Sequence, residues 1–161
     1  MKVTGIIAEY NPFHKGHEYH LKETRARLNS DYIIVVMSGN YVQRGAPTII
    51  DKYSRAEMAL KCGADLVLEL PFVYAVQNAD RFACGAVQTL QLAGIDSLVF
   101  GSECGDIETL SQIASLPFDP SRFKENMDAG YSYPRSYDIF ASQYGPNDIL
   151  GISYLKALEG T

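Results

Sequence analysis

His14, His17 and His20 are the only histidines of the chain, and all fall within residues 14–20. His14 and His17 bracket Lys15 and Gly16 where an apolar opening run hands over to helix-favouring residues. The i, i+3 spacing puts both rings on one side of a first helical turn. A helix N-terminus offers free N–H groups and partial positive charge, which makes it an anion site. Gly16 lacks a side chain, so a nucleotide can approach the backbone closely there. Two imidazoles aimed at a phosphate stabilise charge as it builds on phosphorus during displacement, with no covalent bond to either ring.

Two plainer readings compete. The spacing H-x2-H-x2-H suggests a metal set, but the helical rotation turns His20 partly away from His14. No acidic or cysteine ligand stands at a characteristic spacing, so no metal site is expected. Alternatively, the histidines only cap and solvate the helix start. The compact block Asn11-Pro12-Phe13-His14-Lys15-Gly16-His17 after a first strand weighs against that.

The elements that must position these residues follow from periodicity. Residues 2–8 form an apolar strand, and residues 14–28 favour helix. A second strand spans 31–38 and ends at Gly39-Asn40, a turn signal; 41–50 reads as an ordered loop. Residues 51–61 make an amphipathic helix with Asp51 as N-cap and Cys62-Gly63 as its stop. A third strand at 65–70, a helix at 78–92, a fourth strand at 95–100 and a helix at 107–115 follow. Residues 117–134 read as irregular, and 148–158 as a last helix. This alternation predicts an α/β fold, a doubly wound, Rossmann-like parallel sheet with helices on both faces. Right-handed crossovers put every strand's C-terminal end on one edge, where ligands bind. The segments after strands one, two and four carry residues 14–17, 38–44 and 101–103.

A length of 161 residues predicts one domain. The composition, 47% hydrophobic and 20% charged, is that of a globular protein, and no apolar run approaches the ~20 residues needed to cross a bilayer. The opening residues 1–7 do not read as a signal peptide, and no membrane partner is expected. Three cysteines without pairing spacing favour a reduced, cytoplasmic setting. The net charge of −5 lacks the basic footprint of a free-standing nucleic-acid binder, so RNA contacts must use a local patch or residues outside this sequence. Nothing sets an oligomeric state.

The segment Glu9-Tyr10-Asn11-Pro12-Phe13-His14-Lys15-Gly16-His17-Glu18-Tyr19-His20 resembles the opening ATP-binding segment of the bacterial tRNA(Met) cytidine acetate ligase family, within the HxGH nucleotidyltransferase-like superfamily. The likeness continues through residues 37–45, 51–60, 63–71, 100–103 and 146–151. It covers nearly the whole chain. The resemblance implies ATP-dependent activation of acetate to acetyl-adenylate, with the acetyl group passed to N4 of the wobble cytidine in elongator tRNA(Met). It implies that Ile7, Ala8 and residues 9–20 cradle ATP, that Gly101 packs on the nucleotide, and that Asn147 hydrogen-bonds to it. Asn147 also reads as an N-cap of the last helix, and Gly101 as a turn glycine. His14 and His17 are the catalytic pair, and Mg2+ accompanies the triphosphate.

Charge adds Lys15 and Arg44 as partners for anionic groups; the alternative for Arg44 is a solvated loop arginine. Asp51 and Arg55, at i, i+4, are expected to form a surface ion pair. Glu103 is expected as a solvated loop carboxylate, the alternative being a ribose contact. Family members run well beyond residue 161, with further ATP-binding arginines and much of the tRNA surface there. The 161 residues alone are therefore expected to bind ATP weakly and not to acetylate tRNA. Two other functions fit: an adenylyltransferase acting on a small phosphorylated substrate, and a non-catalytic nucleotide-binding module.

Overall fold

The computed structural model describes residues 1–117, 120–130 and 144–159. These fall into two compact units, Met1–Phe100 and Gly101–Thr161, where length alone suggests one domain.

The first unit is built on four parallel strands, β1 (Val3–Ala8), β2 (Tyr32–Ser38), β3 (Leu66–Leu70) and β4 (Ser97–Val99), in the order β3-β2-β1-β4. Strand order reverses at β1, so the predicted ligand crevice lies at its C-terminal end. Ile6 stands opposite both Val35 of β2 and Val99 of β4, and Val35 opposite Val67 of β3. β2 is buried from Ile33 to Ser38 because both its faces are covered. Ile33, Val35 and Met37 point, with Ile6, into a core closed by Leu21 of α1 (Lys15–Leu28) and Ala59 of α2 (Lys52–Lys61). Side-chain alternation turns Ile34 and Val36 the other way. α4 (Ala79–Leu92) packs on β2 and β3 and buries a stripe of Phe82, Ala83, Ala86, Val87 and Leu90. Each fully buried Leu or Ile contributes roughly 1.5–3 kcal/mol of transfer free energy.

Helix boundaries follow local chemistry. Asp51 caps α2 by accepting from the Tyr53 and Ser54 N–H groups at 3.0 and 2.9 Å. Asn78 caps α4 by accepting from the Arg81 N–H. A short helix, α3 (Phe72–Ala75), follows Pro71 and was not visible as periodicity, because four residues span barely one turn.

The second unit contains α5 (Ile107–Ala114), α6 (Pro120–Asp128) and α7 (Pro146–Glu159), with α5 packed on α7. α6 corrects the irregular reading of residues 117–134 where they are described; residues 118–119 and 131–134 of that span lie outside the described residues. Mixed charge hid the helix, since only a narrow stripe of it is apolar.

Candidate functional site

β1 ends at Ile7 and Ala8, both half-buried, and the chain turns through residues 9–13 into α1. The turn is tied to the segment that follows β2. The Glu9 carboxylate accepts the Gln43 N–H at 2.7 Å, and Asn11 Oδ1 accepts the Ile49 N–H at 2.8 Å. The Asn11-Pro12 peptide is cis, and Tyr10 has φ 49°, in the left-handed region. The Tyr10 ring is buried at 2% exposure, edge-on to Phe13 with centroids 4.9 Å apart, and 4.8 Å from the His17 ring. Burial, with a nearby thiol at Cys62, pushes the Tyr10 hydroxyl above its ordinary range, so it stays protonated.

α1 begins with a reciprocal capping box made of two imidazoles. His14, in extended backbone, is the N-cap, and its Nδ1 accepts the Gly16 N–H at 3.1 Å. His17 Nδ1 accepts the His14 N–H at 3.2 Å. The rings stack with centroids 3.6 Å apart and planes inclined by 23°. An Nδ1 that accepts carries no proton, so each neutral ring holds its proton on Nε2. Neither Nε2–H has a partner among the described residues. Burial first, then the neighbouring His14 and His20, hold the His17 pKa down to about 4. His17 is therefore a neutral N–H donor near pH 7, not an imidazolium.

The alternative that the histidines only cap the helix is thus half true. They do cap, through Nδ1, and capping leaves the Nε2 edges unused. It also commits both Nδ1 atoms to backbone N–H groups, which removes them as metal ligands. Gly16 earns its place by space: a Cβ there would come within 3.0 Å of His14 Cε1.

The remaining predicted residues divide. Phe13 is half-buried against Tyr10 and His17, and Lys15 is exposed at the first helical position. Glu18 pairs with Lys22 at 2.6 Å, and Tyr19 points to solvent. His20 is half-buried with Nε2 unpartnered, and burial lowers its pKa. Arg44 is exposed at the tip of a small ordered loop, in which Val42 N–H donates to the Ala46 carbonyl and Gly45 has φ 76°.

Sequence reasoning missed Arg55. The expected surface ion pair with Asp51 does not form: Arg55 is fully buried. Its guanidinium donates to the backbone carbonyls of Glu9, Ser38, Gly39 and Ile50. The Asp51 carboxylate is instead taken by its own helix start, including the Ser54 hydroxyl at 2.7 Å. The available signal was that Arg55 and Ala59, at i, i+4, share the inward stripe of α2.

In the second unit Gly101 is exposed, with open space where a Cβ would stand. Asn147 is not an N-cap. It lies inside the first turn of α7, and its Nδ2 donates to Glu103 Oε1 at 2.8 Å. Glu103 is not a free loop carboxylate either: it also accepts the Asn147 and Asp148 N–H groups at 3.2 and 2.9 Å. Asp148 answers from the helix, buried, accepting the Ser102 hydroxyl at 2.5 Å and the N–H groups of Glu103, Cys104 and Gly145. Burial pushes the Asp148 pKa up, but those donors outweigh it and hold it below the ordinary carboxylate value.

A model of the HIGH nucleotidyl transferase family matches residues 1–161. The chain belongs to that family. Among its curated relatives are the tRNA(Met) cytidine acetate ligases of Caldicellulosiruptor bescii (45% identical over 97% of this chain and 42% of that protein) and Fervidobacterium nodosum (47%, over 98% and 41%). The crystal structure of Thermotoga maritima TmcAL bound with alpha-thio ATP matches with a TM-score of 0.87 at 43% identity, over 99% of this chain and 44% of that one. The chain therefore spans about two fifths of the length of the relatives it matches. The parallel α/β fold expected from alternation agrees with both the sheet and this neighbour. No described helix of the family member is long and apolar enough to cross a membrane.

Proposed function

We propose that this chain binds ATP at the start of α1 and serves an ATP-dependent ligase of the cytoplasm. In the proposed reaction an acetate oxygen attacks the α-phosphorus of ATP, the α–β phosphoanhydride bond breaks, and pyrophosphate leaves. The N4 amine of the wobble cytidine of elongator tRNA(Met) then attacks the acetyl carbon, AMP leaves with the acyl C–O bond broken, and N4 gives up a proton. One observation carries the reading: two stacked neutral imidazoles spend Nδ1 on the helix cap and keep Nε2–H for a ligand. Donors already oriented need no reorganisation as charge grows on the phosphoryl oxygens.

His14 and His17 are the proposed catalytic pair, with Ile7, Ala8, Glu9, Tyr10, Asn11, Pro12, Phe13, Lys15, Gly16, Glu18, Tyr19 and His20 forming the cradle. Lys15 and Arg44 supply mobile positive charge for phosphate or carboxylate. For Gly101 and Asn147 the proposal is the one the resemblance carries, a nucleotide contact at each. Mg2+ is proposed to arrive on the triphosphate, because it commonly keeps phosphate and water ligands. When bound it neutralises phosphate charge.

The test pairs two measurements. ATP should raise the melting temperature of the chain, and His14→Ala/His17→Ala should abolish the rise. Exchange of labelled pyrophosphate into ATP should require acetate. Exchange indifferent to acetate but driven by a phosphorylated acceptor would replace the ligase with an adenylyltransferase. No response to ATP by either protein would leave an interaction module.

A further inference from the structure

Among the described residues Arg55 heads the fully buried side chains by size, at 0% exposure. It makes no ion pair among the described residues. A buried cation is costly unless its donors are satisfied, and here carbonyl dipoles do the satisfying. Nε reaches the Ile50 carbonyl at 3.1 Å; Nη1 reaches those of Glu9 and Ser38 at 2.5 and 3.1 Å; Nη2 reaches that of Gly39. The acceptors belong to the exits of β1 and β2 and the approach to α2, where strand carbonyls run out of ladder partners. Only a forked, five-donor group can join three such segments at once.

The Glu9 carbonyl is part of the peptide that enters Tyr10. Tyr10 holds φ 49°, a conformation that non-glycine residues adopt rarely and only when their surroundings impose it. Its ring then lies against both Phe13 and His17, and His17 stacks on His14. We propose that Arg55 is a positioning residue for the imidazole pair. By anchoring the Glu9 carbonyl it keeps Tyr10 in the left-handed conformation, and the Tyr10 ring fixes His17 and, through it, His14. The same fork draws the Ser38 and Gly39 carbonyls toward β1, so the exits of the two strands keep a set spacing. The functional consequence rests on the nucleotide reading above, whereas the geometry can be measured without nucleotide.

The experiment uses the 161-residue chain and the variants Arg55→Lys, Arg55→Gln and Tyr10→Leu. Lysine keeps the charge but presents one compact head that cannot span the four carbonyls. Imidazole 15N spectra report which His17 nitrogen is protonated, and a pH titration reports its pKa. Calorimetry reports ATP affinity. Folded Arg55→Lys should lose the Nδ1-acceptor signature of His17, and its titration should move up from about 4 toward 6.5. ATP affinity should weaken about tenfold or more, the scale of loss that follows small misplacements of binding groups. Tyr10→Leu should give the same His17 change with the Arg55 bonds intact, and it decides the matter if both Arg55 variants fail to fold. A folded Arg55→Lys with wild-type His17 behaviour overturns the proposal, as does a Tyr10→Leu chain whose His17 is unmoved. If the wild type itself ignores ATP, the nucleotide reading falls, and the His17 titration still judges Arg55.

Discussion

Two helix starts in this molecule solve the same problem with opposite electrostatics. At α7 the free N–H groups of the first turn are met by carboxylates: Glu103 takes those of Asn147 and Asp148, and Asp148 takes that of Gly145. Negative charge matches the positive end of the helix dipole, so that terminus is electrostatically complete. At α1 the caps are the neutral Nδ1 atoms of His14 and His17. They satisfy hydrogen bonds without cancelling the dipole, and each brings an unused Nε2–H. Satisfying donors and neutralising a helix end are thus separate acts, and an anion is drawn to the end where only the first is done.

The contrast can be broken from the α1 side first. Replacing both rings, His14→Ala/His17→Ala, should weaken ATP binding about 100-fold, the combined effect of two hydrogen bonds to a charged ligand; titration calorimetry measures it. Gly16→Ala should cost about tenfold in ATP affinity with the fold retained, because the new Cβ at 3.0 Å from His14 Cε1 tilts that ring. A crystal structure showing an unmoved ring and unchanged affinity would refute this.

From the α7 side, Asp148→Asn should lower the unfolding midpoint of the second unit by about 5 °C, since a neutral amide cannot accept from all four donors. Acid separates the two ends. His17 is held neutral with a pKa of about 4 against 6.5 for the ordinary side chain. The unfolded chain therefore binds a proton that the folded one refuses, and stability declines as pH falls from 6.5 toward 4. The Asp148 pKa is depressed, so its contribution is present at neutral pH and disappears only as pH drops through the still lower folded value. Urea unfolding at pH 7 and pH 5 should show the first loss, and His17→Gln should flatten it. The smallest effect is expected at the exposed loop tip: Arg44→Ala should change ATP affinity by about threefold or less, as for a solvated, screened charge.

Much of this was legible beforehand. The parallel sheet follows from apolar runs spaced by helical patterns, and the place of the proposed site was read from where a first strand must hand over to its helix. The α2 cap at Asp51 is local chemistry, so it could be read directly. Arg55 could not. Its i−4 neighbour Asp51 invited an ion pair, and only the fold shows that Asp51 is consumed by its own cap while Arg55 turns inward. The solvated carboxylate expected at Glu103 and the N-cap alternative for Asn147 failed for a related reason: their partners lie more than forty residues away, and no spacing rule covers such a distance.

The amino-acid sequence by itself determined the imidazole pair, its glycine, and the helix they begin, because i, i+3 geometry is a property of any helix. What only the tertiary structure decided is which edge of each ring is free and what holds the rings there. Those depend on a left-handed tyrosine, a buried guanidinium and carbonyls from two separate strands, which become neighbours only once the sheet has formed.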